Sequence, residues 1–271
     1  MRFVSFNANG IRARLHQLAT IRKKHRPDVL ALQEIKVADD IFPLEDVQAL
    51  GYPHVHYYGQ KGHYGVALLS QIEPLEVQCG IPWAEEDQQR RFISAVYPVD
   101  GTRVRILNGY FPQGESRDHP TKFPNKKQFY ADIARYLDER CDPAEALLLA
   151  GDMNVAPNDV DIGIGEDNAK RWLRTGKCCF LPEEREWLER LTAWGLSDSY
   201  TVSSSDDPLL WSWFDYRSRG FDREPKRGLR IDLILATQSI MRKVEDCGVD
   251  QEMRGEEKPS DHCPIWCNFS L

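Results

Sequence analysis

Short apolar runs recur along this chain, and several stop abruptly at polar clusters. Phe3-Val4-Ser5-Phe6 ends at Asn7-Ala8-Asn9-Gly10, and Val29-Leu30-Ala31-Leu32 ends at Gln33-Glu34. Leu147-Leu148-Leu149-Ala150 ends at Gly151-Asp152-Met153-Asn154, and Ser260-Asp261-His262 precedes Cys263-Pro264-Ile265-Trp266. Apolar runs of this length read as buried strands. Further strands are predicted near 65–69, 92–97, 104–108, 209–214, 230–235, 244–249 and 265–269. Leu15, Leu18 and Ile21 repeat at helical spacing, as do Phe129, Ile133 and Leu137. Pro182-Glu183-Glu184 opens a third helix, with proline in its first turn and acids at its positive end. That helix carries Trp187, Leu188, Leu191 and Trp194 and stops at Gly195. Strands outnumber helices, and turns as short as Val99-Asp100-Gly101 join neighbours, which favours mixed sheets over a purely parallel one.

The polar signatures come from both ends of the chain, so one site must draw on all of it. The expectation is a single catalytic domain over residues 1–271. Ser203-Ser204-Ser205-Asp206-Asp207-Pro208 is too short to separate two domains. No apolar stretch approaches the ~20 residues of a membrane span. The run after Arg2 stops at Asn7, which is not a secretory signal. A cytoplasmic protein with no membrane partner is expected. Seven cysteines, odd in number and without a CxxC pair, read as reduced core residues.

The net charge of −7 argues against nucleic acid only if charge is spread evenly. It is not. Basic residues cluster at 12–26, 170–177 and 217–230, while acids collect at Asp39-Asp40, Glu45-Asp46 and Glu85-Glu86-Asp87. Phosphate binding needs a local basic face, not a basic total. The 22–26 run reads as a solvated helix face. The 217–230 run is interleaved with Trp211, Trp213, Phe214, Tyr216 and Phe221, and reads as a DNA-binding surface.

Glu34, Asp152 and Asp261 all fall at core edges, where a carboxylate is costly unless it is paired or coordinates a metal. A shared hard cation is the economical reading. Mg²⁺ takes oxygen ligands and keeps several waters, so one or two carboxylates suffice. Glu34 is the leading ligand candidate, followed by Asp261 and Asn7; Asp152 and Asn154 could hold the same ion or a second. Phosphodiester hydrolysis also needs a deprotonated water and stabilised phosphoryl oxygens. Asp152 is the candidate base, with Asn154 as a neutral donor; an Asx turn after a strand is the plainer alternative. His262 is the candidate donor to the phosphate. Asp232 lies in a strand, where a carboxylate needs a partner. The Tyr110 hydroxyl could reach a phosphoryl oxygen, or serve as a core residue. Gly59-Gln60-Lys61-Gly62-His63-Tyr64-Gly65 is Gly-rich and basic, but lacks a Walker spacing and reads equally well as a hairpin turn. Arg90-Arg91 and the Gly114-Glu115-Ser116-Arg117 loop could touch DNA backbone.

These signatures, together with Gly59 to Gly65, Asn108-Gly109-Tyr110-Phe111-Pro112-Gln113-Gly114 and Gly228-Leu229-Arg230-Ile231-Asp232, resemble the exonuclease III family of abasic-site endonucleases. The resemblance runs from the first strand to the last. It implies an α/β fold of the DNase I-like, endonuclease-exonuclease-phosphatase kind: a four-layer sandwich of two packed mixed β-sheets flanked by helices, with the site at one edge. It supports Glu34 as metal ligand and implies contact between Asp232 and His262. It implies a Mg²⁺-dependent DNA repair nuclease, with Mn²⁺ able to substitute, working as a monomer on double-stranded DNA. The activities implied are incision 5′ to abasic sites, 3′→5′ exonuclease action, and removal of blocked 3′ ends including 3′-phosphate. Arg90, Arg217, Arg223 and Arg227 are expected on DNA. Trp213, Phe214 and Ile231 are expected to wall a pocket for the abasic sugar, with ordinary core positions as the alternative. Ala8, Ile11, Leu15 and Ile35 depart from the family pattern, and Ile35 adjoins the metal ligand. A competing reading is a DNase I-like phosphoesterase acting on inositol phosphate or phospholipid head groups; another is a catalytically inactive DNA-binding module.

Overall fold

A computed structural model of the chain describes residues 1–84, 89–202 and 210–271. The acidic Glu85-Glu86-Asp87 and the 203–208 segment lie outside the described residues. Twelve strands follow in chain order: β1 (Arg2–Asn7), β2 (Val29–Gln33), β3 (His54–Tyr58), β4 (Val66–Ser70), β5 (Glu76–Cys79), β6 (Phe92–Val99), β7 (Thr102–Tyr110), β8 (Ala146–Asp152), β9 (Leu196–Asp198), β10 (Asp232–Thr237), β11 (Val244–Val249) and β12 (Ile265–Phe269). The helices are α1 (Leu15–Lys24), α2 (Leu44–Ala49), α3 (Lys122–Arg140), α4 (Glu166–Arg174), α5 (Pro182–Ala193) and α6 (Gln238–Met241). The strands form two six-stranded sheets, ordered β11-β12-β1-β2-β4-β3 and β5-β6-β7-β8-β10-β9. Both are mixed: β1–β2 and β7–β8 are parallel, and the other pairings are antiparallel.

The apolar runs are continuous because β1, β2, β4, β8 and β10 are buried on both faces. Within β8, Leu148 and Ala150 enter the core between the sheets, while Leu147 and Leu149 pack under α3 and α5. Within β1, Phe3 faces the inter-sheet core, while Val4 and Phe6 face the layer containing Leu18 and Ile21 of α1. The result is four layers: helices, sheet, sheet, helices. No helix among the described residues is long and apolar enough to cross a membrane. None of the seven cysteines forms a disulfide among the described residues, and five of them are buried.

A polar bridge crosses the inter-sheet core near the site. Gln33 Nε2 donates to Ser5 Oγ at 2.9 Å and to Asn108 Oδ1 at 2.8 Å. Asn108 Nδ2 reaches across to the carbonyls of Leu32 and Ala67, both at 2.9 Å. Hydrogen bonds of this kind across the core fix one relative placement of the two sheets, with Gln33 Oε1 the one amide atom of the bridge left without a partner among the described residues.

The sequence locates most strands to within two residues, and the Val99-Asp100-Gly101 turn joins β6 to β7. Its Asp100 and Gly101 sit at φ 48° and 81°, the left-handed pair that suits a tight hairpin. One expectation needs correction. Residues 210–214 form no strand, and 209 lies outside the described residues. Ser212 and Trp213 both donate to the Leu229 carbonyl, Phe214 donates to that of Asp261, and Ser212 accepts from Cys263. The segment changes partner nearly every residue, so no ladder can propagate. The apolar pattern marks neither the helices α2, α4 and α6 nor the strands β3, β5 and β9.

Candidate active site

The strand ends that the sequence marks as polar converge at one edge of the sandwich. β7 and β8 run parallel, so Tyr110 and Asp152 end side by side. β10 runs antiparallel to β8 and begins where β8 stops, which pairs Asp232 with Asp152. The close approach explains the glycine before the acid: Gly151 sits at φ 140°, and a Cβ there would lie 1.9 Å from the Gly109 carbonyl oxygen. Glu34 leaves β2 with φ 55° and Lys36 follows with φ 53°. The Gly-rich segment holds that turn: Ile35 donates to Gly65 O at 3.1 Å, and Lys36 to Tyr64 O at 2.9 Å. Ile35 is buried, and a Cβ on Gly65 would meet its Cγ1 at 2.6 Å. The segment is a buttress for Glu34 rather than a phosphate-cradling loop.

A cleft of about 350 Å³ opens over this edge. It is lined by Glu34, Tyr110, Asp152, Asn154, Trp213, Arg217, Ile231, Asp261 and His262, all named from sequence. Asp152 is buried and takes Asn7 Nδ2 at 2.9 Å and the Asn154 backbone N–H at 3.0 Å. Asn154, at φ 51°, donates its own amide to Phe111 O at 3.0 Å. His262 places Nδ1 2.8 Å from Asp232 Oδ2 and Nε2 3.7 Å from Asp152 Oδ2. Burial opposes charge on His262, but the Asp232 and Asp152 carboxylates outweigh it and push its pKa up to about 10. Burial, with the Asp232 and Glu34 charges, pushes Asp152 up to about 7 despite the imidazolium and the Asn7 amide. The donors around Asp152 are therefore present, but alone they do not hold it at ordinary carboxylate acidity. Burial and the Glu34 charge raise the Tyr110 hydroxyl well above the usual tyrosine range, so it keeps its proton.

Asp261 accepts from Asn9 Nδ2 at 2.7 Å and from Trp213 Nε1 at 3.1 Å, and Lys36 Nζ lies 3.0 Å from Glu34. Asp152, Asp232 and His262 are the tightest potential metal-binding group among the described residues. That set does not suit a cation, because an imidazolium has no lone pair to give. Glu34, Asp261 and the Asn7 amide oxygen offer an all-oxygen set that suits a hard cation. Crowded carboxylates at this edge are also what a cation would relieve.

Three groups escaped the sequence reading. Ser212 Oγ donates to Asp232 Oδ2 at 2.6 Å and accepts from the Ile231 and Asp232 N–H groups, so it orients the His262 partner. Asn9 reaches Asp261, as above; its only sequence signal was its place in Asn7-Ala8-Asn9-Gly10. Lys126, wholly buried, donates to Asn154 O at 2.8 Å and pairs with buried Glu184 of α5. A lysine in the apolar stripe of α3 was a legible signal.

Four expected DNA contacts lie outside the cleft. Phe214 is fully buried between the sheets and packs edge-on to Phe221 at 5.2 Å, so it is a core residue and not a pocket wall. Arg90 pairs with Asp39 and stacks on Tyr58 at 4.7 Å. Arg223 turns its Nε to the Ser218 carbonyl, and Arg227 sits beside Gly165. Leu229 and Trp172 complete the apolar lining with Trp213 and Ile231.

Comparison with known proteins places the whole chain in one family. Residues 4–262 match the model of the Endonuclease/Exonuclease/phosphatase family. The chain is 54% identical over 269 residues to exodeoxyribonuclease III of Haemophilus influenzae, covering 99% of this chain and 100% of that one. Among solved structures it resembles a 3′ phosphatase from Neisseria bound to product DNA hairpin, with TM-score 0.88, 35% identity and full coverage of both chains. It resembles an AP endonuclease from Archaeoglobus fulgidus equally, with TM-score 0.88, 32% identity and full coverage of both. Fold, site and relatives thus coincide over essentially the whole chain, which belongs to the endonuclease/exonuclease/phosphatase family of metal-dependent phosphoester hydrolases.

Proposed function

We propose that this protein is a DNA repair nuclease that hydrolyses phosphodiesters of duplex DNA. It would incise 5′ to abasic sites, degrade 3′ ends and clear 3′-phosphate, working as one catalytic domain over residues 1–271 and as a monomer. The observation that carries the reading is buried Asp152, held by the Asn7 amide and facing the His262 imidazolium, in a cleft whose far wall is Trp213 and Ile231. The names of the relatives support the three activities: an AP endonuclease the incision, an exodeoxyribonuclease III the degradation of 3′ ends, and a 3′ phosphatase the clearing of 3′-phosphate.

Glu34, Asp261 and Asn7 Oδ1 would hold Mg²⁺, for which Mn²⁺ could substitute. When bound, the cation neutralises phosphoryl charge and lowers the pKa of a water. The rest falls to the protein. Asp152 Oδ takes the proton of the attacking water, and its raised pKa suits a base acting near neutrality. Asn7 and the Asn154 N–H keep the carboxylate aimed. Asp232 fixes the His262 tautomer, leaving Nε2–H to donate to a phosphoryl oxygen, and the protonated Tyr110 hydroxyl donates to another. An abasic sugar leaves the helix without breaking a base pair, and the apolar wall of Trp213, Leu229 and Ile231 could take it while excluding a full nucleotide.

The test is incubation with an abasic-site duplex, with and without EDTA, beside an undamaged duplex and a phosphoinositide. Cleavage of the abasic duplex that stops with chelator and returns with Mg²⁺ is expected. Turnover of the phosphoinositide alone would overturn the reading in favour of a head-group phosphoesterase.

A further inference from the structure

Arg90 and Arg91 are adjacent in sequence, and the fold sends them to opposite sides. Arg90 is balanced by Asp39 at the surface. Arg91 is only 7% exposed, and no carboxylate lies within ion-pair distance of it among the described residues. Its guanidinium is held between two rings, 4.1 Å from the centroid of Tyr64 and 4.5 Å from that of Tyr110. Its hydrogen-bond partners are neutral: Gln89 Oε1 at 2.6 Å and the Tyr110 carbonyl at 3.0 Å. A buried cation that meets no carboxylate among the described residues is costly, and the arginine keeps its charge.

What lies beside it is a cavity. About 240 Å³ opens between Arg91, Tyr64, Gln113, Lys122 and Asn125. This cavity and the catalytic cleft share Glu34, Tyr110 and Gln113 as common lining, so they meet at the reaction centre. The cleft offers Trp213, Leu229 and Ile231, which suit a sugar; the cavity offers a fixed guanidinium, an amide and, at the rim, Lys122 shared with exposed Glu115, with Glu34 as the carboxylate where it meets the cleft. Arginine's planar fork matches phosphate oxygens, and two flanking rings hold it ready before the ligand arrives.

We infer that this cavity is a second phosphate subsite, taking the phosphodiester next to the scissile one on the same strand, with Arg91 as its floor. The charge that the described residues leave unpaired is then met by the substrate. The inference rests on the nuclease reading. Tyr110 touches Arg91 with its ring and carbonyl while its hydroxyl borders the centre, so the subsite also steadies a catalytic donor.

The experiment uses duplexes with one abasic site and a single neutral methylphosphonate at successive positions around the incision point, with steady-state kinetics for the wild type, Arg91→Met and Arg91→Lys. In the wild type, one adjoining position should raise KM by about tenfold, the size of a lost charge-assisted hydrogen bond. In Arg91→Met, KM on the unmodified duplex should rise by about as much, and the methylphosphonate at that one position should add no further loss. Penalties at other positions should be unchanged. Arg91→Lys keeps the charge in place of the fork and should restore part of the binding, so it reads the same position if the methionine variant melts low. Additive penalties at every position, or a fall in kcat with KM unchanged, would show that Arg91 only supports Tyr110 and would overturn the subsite. A wild type inert on the unmodified abasic duplex would instead overturn the nuclease reading beneath it.

Discussion

Single residues in this site act through their neighbours. Asp232 has little reason to be in a strand except to hold His262, and Ser212 holds Asp232 in turn. Removal of either partner of an acid–base unit typically costs ~10²–10⁴ in rate. Asp232→Asn and His262→Asn should each fall in that range, and the double variant should be little worse than the weaker single one. Rates that simply multiply would show two independent roles. Trp213 and Phe214 separate in the same way. Phe214 fills the inter-sheet core, so Phe214→Ala should lose about 3–5 kcal/mol of stability in urea unfolding. Trp213→Ala should keep most of its melting temperature and lose abasic incision. A common collapse of folding in both variants would place Trp213 in the core.

At the scale of elements, the helices do more than cover the sheets. Lys126 lies on the same face of α3 as Phe129, Tyr130 and Ile133, yet its ammonium is buried. It pairs with Glu184, whose other oxygen accepts the Leu181 N–H and caps α5 at 2.8 Å. The same ammonium holds the carbonyls of Asn154 and Gln113, so two helices are pinned to the loops that form the floor of the site. Breaking a buried pair strands a charge, which costs about 3–5 kcal/mol, while replacing both members with apolar groups costs far less. Lys126→Met should therefore unfold at much lower urea, and Lys126→Met with Glu184→Leu should recover most of the loss. The rescued protein should still turn over slowly, because Asn154 O has lost its donor. A single variant as stable as wild type would mean that the pair is dispensable.

For the whole molecule the question is how an acidic protein holds an acidic polymer. The net charge is −7, but the cleft collects Arg217, Lys177 and, through the adjoining cavity, Arg91 and Lys122. Binding should weaken with salt, with log K falling at about −0.9 per phosphate contacted. Arg217→Gln should reduce that slope by about one, and Arg223→Gln, lying outside the cleft, by less. Equal slopes for wild type and Arg217→Gln, measured by fluorescence anisotropy, would remove Arg217 from the DNA contact.

The sequence determined the buried strands that lead into the site and where they end. Runs buried on both faces need unbroken apolar residues, and the polar residue that stops each run is where the strand leaves the core, so Asn7, Glu34, Asp152 and Asp261 were legible as site residues. Sequence placed Arg90 with Arg91, and Trp213 with Phe214, on the same DNA-facing side, and the structure separates the members of each pair. The pattern could not say which of each pair faces the cleft. That depends on what packs against the segment: Asp39 and Tyr58 claim Arg90, and the inter-sheet core claims Phe214. Nor could sequence alone bring Asp232 to His262 or find Ser212 behind them. Their contact comes from β10 running antiparallel to β8 and from a segment at 212–214 that exchanges hydrogen bonds with 229 and 261–263. Local pattern fixes which residues leave the core; only the pairing of distant strands decides which of them meet.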